Sequence, residues 1–307
     1  MLQRLYWVNM RNILIIGCGL LGSSLLRRIH KKKIANKIFI YEKSSSNKSK
    51  IRKLKLPGVI IKDLDQAIKN SDLIILCAPM SEYKNLILKM NKSLSNKNII
   101  TDIGSSKIES SKVIKNFLKK GIVWTQGHPI AGSEVSGPEN GKQDIFENKW
   151  CVLIKEKNTK KKNLNLLSSF WKKMGSKIVI MSAEKHDKIF SMTSHLPHLI
   201  AYNLVKSAQD FEKTQNYDLI KYSAGGLRDF SRIAASNEIM WRDIFFDNKI
   251  NVSRAIDIFI KNLTAFKKDI NSENNKSILK KLIQTKKVRY KIIKLKQDIN
   301  KPDFGRD

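Results

Sequence analysis

The chain has 307 residues, about two domains at roughly 150 residues each. Apolar residues make up 41% and charged residues 28%, enough to fill a core, which excludes a disordered polymer. Lysines and arginines number 59 against 27 aspartates and glutamates, a net charge of +32. They are scattered rather than gathered beside aromatic platforms, so the excess reads as a drift toward Lys, Asn and Ile, and no specific nucleic-acid partner is expected.

No apolar run approaches the roughly 18 residues of a membrane span, and the opening MLQRLYWVNMR lacks a secretion signal's apolar stretch. Cys18, Cys77 and Cys151 are odd in number and contain no CxxC pair, which excludes a disulfide framework and fits a reducing cytoplasm. A cytoplasmic protein with no membrane association is expected. Residues 1–9 precede the first predicted element, and Met10 is a candidate start.

Residues 12–16 form a short apolar run suited to a strand buried on both faces. Gly17, Gly19 and Gly22 follow, and 20–33 reads as a helix with Arg27, Arg28 and Lys31 to Lys33 at its negative end. Further strands are predicted at 37–41, 73–77, 98–100, 122–124, 150–154 and 177–181. Helices at 64–70, 82–90, 108–119 and 164–173 separate most of them, while 44–49 and 155–162 read as polar and charged loops. Strand alternating with helix predicts a parallel-rich sheet covered on both sides, a Rossmann-type α/β domain. After Met181 only helical spacing remains, at 186–208, 217–224, 239–248, 252–271 and 277–296. The expected division is a nucleotide-binding domain over 10–182, an all-helical domain over 183–297 and a tail over 298–307.

Gly17-Cys18-Gly19-Leu20-Leu21-Gly22 matches G-x-G-x-x-G between a strand and a helix. The first glycine permits a tight turn, the second a close approach to pyrophosphate, and the third close packing of helix on strand. Glu42 ends the second strand, where a carboxylate accepts ribose hydroxyls and repels a 2′-phosphate. NAD is therefore expected over NADP.

Residues 101–107 and 127–134 follow strand ends, the edge where open parallel sheets bind ligands. His128, placed after the strand at 122–124, is a candidate proton acceptor; a histidine tied into its loop is the alternative. His195 and His198 share a helical face beside Pro197 and suit hydrogen bonding to a substrate better than zinc, since no H-E-x-x-H pattern accompanies them. Arg232, one helical turn after Arg228, suits a carboxylate, with a salt bridge to Asp229 or Asp243 as the alternative.

The segments TDIGSSK, GHPIAGSEVSG, SHLPHLIAYNLV and GLRDFSRIAASNEIMWRDIF resemble, in order, the motifs of the prephenate/arogenate (cyclohexadienyl) dehydrogenase family of tyrosine biosynthesis. With the glycine motif, the resemblance spans residues 12–296. The ending PDFGR is similar to the tail of some bacterial cyclohexadienyl dehydrogenases. The resemblance implies a Rossmann-type first domain and a helical second domain that forms a homodimer. It implies oxidative decarboxylation of prephenate to 4-hydroxyphenylpyruvate, or of arogenate to tyrosine. By resemblance His128 accepts the ring hydroxyl's proton, Ser105 holds that hydroxyl in line and Arg232 binds a carboxylate. His198, Ser133, Trp241 and Asp187 match positions lining the pocket. Ala78 and Pro79, after the strand at 73–77, complete the expected cofactor set. The early glycine motif leaves no room for an N-terminal chorismate mutase, nor the helical ending for an ACT domain, so any tyrosine feedback is expected at the active site.

Overall fold

The computed structural model describes residues 10–216 and 218–295. The segment before Met10, Tyr217, Lys296 and the tail with its PDFGR ending lie outside the described residues.

Five parallel strands form the first sheet in the order β3-β2-β1-β4-β5. They are β1 (Met10–Ile16), β2 (Ala35–Tyr41), β3 (Val59–Ile60), β4 (Leu73–Leu76) and β5 (Ile99–Asp102). β1 and β4 lie centrally and are covered on both faces, which is why they read as unbroken apolar runs. Successive β1 residues alternate between two cores. Ile13 and Ile15 join Leu25, Ile29 and Trp171 on one face, while Leu14 and Ile16 join Ile68, Tyr83 and Ile87 on the other. A second sheet, β6 (Gly127–Pro129), β7 (Trp150–Ile154) and β8 (Lys177–Met181), is mixed: β6 is antiparallel to β7, and β7 is parallel to β8.

The helices interleaved with these strands are α1 (Leu20–Lys31), α2 (Ser45–Lys53), α3 (Leu64–Lys69), α4 (Tyr83–Met90), α5 (Ile108–Phe117) and α6 (Lys161–Met174). Beyond Met181 the described residues contain no strand. They form α7 (Ala183–Phe190), α8 (Leu196–Gln215), α9 (Gly225–Arg232), α10 (Glu238–Asp247), α11 (Lys249–Asn271) and α12 (Asn275–Lys294).

Four expectations are corrected. Residues 44–49 are not a loop: Ser44 accepts the amide of Asn47 and caps α2, a helix hidden in the sequence because only Ile51 is buried. Residues 122–124 form no strand, only a bridge from Trp124 to Ile100, and His128 sits within β6 rather than past a strand end. The helix expected over 186–208 is interrupted by one π turn at Ser191–His195, beside Pro197, which has no amide proton to give the ladder. Between 218 and 224 there is only a short 3-10 turn, and the helix α9 begins after it.

Candidate active site

The nucleotide loop is built as its glycines require. Gly17 has φ +90°, and a side chain there would meet the Ala78 amide at 2.9 Å. A side chain on Gly22 would fall 2.1 Å from the Gly17 carbonyl, so α1 can start this close to β1 only through glycine. At Gly19, by contrast, an added side chain meets nothing within 4 Å. That opening faces the first turn of α1, whose N-cap has no side-chain partner, a place suited to a pyrophosphate. Leu20 and Leu21 open the helix, and Ala78 and Pro79 follow β4 alongside. Glu42 is buried at the end of β2. One carboxylate oxygen accepts the Cys18 amide at 2.7 Å and the other the Ser44 amide at 2.8 Å. It therefore shapes the loop from within. These residues fit a dinucleotide.

At the end of β5 lies a fully buried ion pair, Lys107 Nζ to Asp102 Oδ2 at 2.6 Å. Asp102 also accepts from Tyr83 Oη (3.1 Å), the Gly104 amide (3.0 Å), Trp124 Nε1 (3.2 Å) and the Gly127 amide (3.3 Å). Lys107 Nζ donates in addition to the Gly127 carbonyl at 2.6 Å, immediately before His128.

His128 heads a chain of buried groups. Its Nδ1 lies 2.8 Å from His186 Nε2, and His186 Nδ1 lies 2.7 Å from Asp187 Oδ1. Asp187 accepts from the Lys107 amide (2.9 Å) and the Ile108 amide (2.8 Å). With donors at both oxygens, Asp187 is a carboxylate, so His186 carries its proton on Nδ1 and accepts on Nε2. His128 then donates from Nδ1, and its Nε2 bears the free lone pair. Burial foremost, then His186, Lys107 and His195, holds the His128 imidazole well below the usual histidine range. Asp187 thus lies behind His186 with its oxygens engaged. Its expected place in the pocket lining is corrected to a place in this chain.

The other predicted residues gather near this chain from separate elements. Ser105 is half-buried, its backbone against His195. Asn248 donates to His195 Nδ1 at 3.1 Å and to the Asp187 carbonyl at 2.8 Å, leaving the His195 proton on Nε2. Burial pushes His195 down to about 4. His198 stacks on Trp241 with ring centres 3.8 Å apart, and its Nδ1 donates to the Ser194 carbonyl. Arg232 is half exposed and pairs with Glu134 at 2.8 Å, while Asp243 is paired with Arg242. Ser133 donates to the same glutamate oxygen.

Sequence reasoning missed His186, Asp102, Lys107, Asn248 and Glu134. For His186 the signal was the adjacent His-Asp pair in a helix that otherwise reads as amphipathic. For Asp102 and Lys107 it was two opposite charges, five residues apart, flanking a turn at the end of an apolar strand.

Comparison with known proteins supplies the family. The profile described as prephenate dehydrogenase, nucleotide-binding domain, matches residues 25–180, and that of prephenate dehydrogenase, dimerization domain, matches 182–284. The chain belongs to the prephenate dehydrogenase family. It is an oxidoreductase. Cyclohexadienyl dehydrogenase of Zymomonas mobilis is 32% identical over 91% of this chain and 95% of its own length. Prephenate dehydrogenase of Bacillus subtilis is 30% identical over 87% of this chain and 72% of its own. The crystal structure of prephenate dehydrogenase from A. aeolicus, in complex with hydroxyphenyl propionate and NAD+, is 34% identical. It superposes with a TM-score of 0.86, covering 93% of this chain and 99% of that one.

Two measurements check this site. Gly22→Ala forces the backbone of the glycine loop apart, so NAD affinity in a fluorescence titration falls at least about tenfold while melting shows a folded protein. The Lys107 ammonium disfavours an imidazolium at His128, so its removal raises the histidine's proton affinity. In the paired variant Asp102→Asn/Lys107→Met, the acid limb of kcat/KM therefore moves to higher pH.

Proposed function

We propose that the chain catalyses the NAD-dependent oxidative decarboxylation of prephenate to 4-hydroxyphenylpyruvate in tyrosine biosynthesis, with arogenate as an alternative substrate that yields tyrosine. The observation that carries this reading is the chain Asp187–His186–His128, which leaves a neutral His128 Nε2 as acceptor in a buried site. NAD supplies the hydride acceptor. His128 Nε2 accepts the ring hydroxyl's hydrogen bond and takes up its proton as hydride leaves ring carbon 4. Loss of carbon dioxide makes the ring aromatic, and the proton ends on the product's phenol. His186 and Asp187 hold the basic nitrogen in place and share the charge that develops on it.

Ser105 orients the hydroxyl toward His128, and His198, Trp241 and Ser133 line the ring pocket. Arg232 anchors a substrate carboxylate, which displaces Glu134 from its guanidinium. Because aromatisation drives the reaction, these residues need only orient the ring, accept one proton and hold one carboxylate. Residues 10–182 carry the cofactor and 183–297 most of the substrate pocket, in a cytoplasmic enzyme with no specific nucleic-acid partner.

The helical half forms a homodimer. α12 buries none of its residues, and Ile258, Leu263 and Ile270 on α11 and Leu279 and Leu282 on α12 are all exposed. A helical surface this apolar calls for a partner, and a two-fold interface between copies covers it. Light scattering at micromolar concentration should give the mass of a dimer.

The reaction is tested by following NADH formation with prephenate and with arogenate, repeated with NADP. His128→Asn should lower kcat by about 10²–10⁴-fold while NAD still binds. Arg232→Ala should raise KM about tenfold, less than a desolvated ion pair would give, because Arg232 is half exposed. Arg228→Ala should be milder. A larger KM effect at Arg228 assigns the anchor to that residue instead.

A further inference from the structure

α10 lies between the substrate pocket and the edge of the first sheet, packing against α5 and the short turn at Met80–Glu82. Trp241, on one side of it, stacks on His198. Asp243 and Asp247, one helical turn apart, point elsewhere. Asp243 Oδ2 accepts the Ser81 amide at 3.3 Å and Asp247 Oδ2 the Ser106 hydroxyl at 3.3 Å. Ser106 is fully buried and also touches Met80 Sδ through both its hydroxyl (3.4 Å) and its amide (3.5 Å). One helix thus holds both loops at the cofactor edge, the one after β4 and the one after β5, and these loops are tied to each other through Met80 and Ser106.

Resting on the reading of the reaction given above, we propose that Asp243 and Asp247 are positioning residues: through them α10 fixes the cofactor-edge loops at a set distance from the substrate pocket it helps to build. Hydride transfer depends steeply on such a distance, since a misplacement of about 1 Å costs on the order of a hundredfold in rate.

The two carboxylates are not equivalent. Asp243 has a cation beside it, with Arg242 bonded to Oδ1 at 2.7 and 3.1 Å. The charged groups acting on Asp247 are all acidic: Asp243 on its own helix, Glu109 on α5 and Asp187 on α7. Burial, opposed by the Ser106 hydroxyl and reinforced by these neighbours, pushes Asp247 up to about 6. Ser106 has one hydroxyl proton and two acceptors in reach. When Asp247 is ionised the proton goes to the carboxylate. When Asp247 is protonated, its own hydroxyl donates to Ser106, whose proton turns to Met80 Sδ. The contact persists in both states. Because Asp247 binds its proton more tightly when seated here than in water, protonation tightens the seat as pH falls through about 6.

The test compares Asp247→Ala, Ser106→Ala, their double variant and Asp247→Asn, with melting temperature, kcat, KM for NAD and for prephenate, and kcat from pH 5 to 9. Wild-type turnover of prephenate in the same assay tests the reaction separately. Each alanine variant should lose about tenfold in kcat. The double variant should lose no more than the worse single one, with KM for prephenate within about twofold of the wild type. Wild-type kcat should show an inflection near pH 6 as Asp247 titrates; Asp247→Asn, which still offers Ser106 an acceptor, should recover most of kcat and lose that inflection. Wild-type kcat in Asp247→Ala, a double-variant loss equal to the product of the two singles, or no recovery in Asp247→Asn would overturn the proposal. If Asp247→Ala does not fold, an unchanged inflection in Asp247→Asn overturns it equally.

Discussion

A carboxylate and an ammonium with no exposure to solvent hold the two sheets of this protein together. Removing two such charges from water costs several kcal/mol per ion, which the pair recovers only through good geometry and further hydrogen bonds to both partners. Asp102 accepts at both oxygens, and Lys107 Nζ gives one proton to Asp102 and one to the Gly127 carbonyl. The carboxylate gathers donors from α4, the turn after β5, Trp124 and β6, and the ammonium takes the Gly127 carbonyl. β6 is thereby placed against β5 by these side-chain bonds to the Gly127 amide and carbonyl rather than by a strand ladder, with the bridge from Ile100 to Trp124 lying just before it in the chain. His128 sits one residue beyond the clamp, and the Lys107 backbone amide reaches Asp187 at the other end of the histidine chain. One residue thus aligns His128, His186 and Asp187.

Much of this was legible in the sequence, and physical reasons separate what was from what was not. β7 and β8 are apolar runs bounded by polar loops, and the structure has them at the bounds expected from pattern alone. The glycine loop was legible because steric need at Gly17 and Gly22 leaves little other choice of residue. β6 was illegible: Gly-His-Pro has no strand preference, and it is extended because its neighbours bind it from both sides. α2 was illegible for the opposite reason, since a helix that buries one residue leaves no apolar period to read.

The site was legible residue by residue but not as a network. His128 stood out by its neighbours in sequence, whereas His186, 58 positions later, had nothing in spacing to link it to His128. Their pairing exists only after α7 docks against the second sheet and α5. Arg232 was open between a ligand and a salt bridge, and the partner it has, Glu134, comes from a loop 98 residues away. Contacts of that separation are set by topology, which composition and period do not encode.

The two amides bound by Glu42 make this carboxylate part of the loop's own framework. In a loop where the acidic residue only meets the ribose, exchange of one side chain is a short evolutionary route toward a phosphorylated cofactor. Here the carboxylate is also the keystone of the turn, holding Cys18 on one side and the cap of α2 on the other. Exchange of Glu42 would leave the Cys18 and Ser44 amides without their acceptor, so another group would have to re-anchor the turn. A change at Glu42 therefore acts on the fold of the loop before it acts on the charge presented to a ligand.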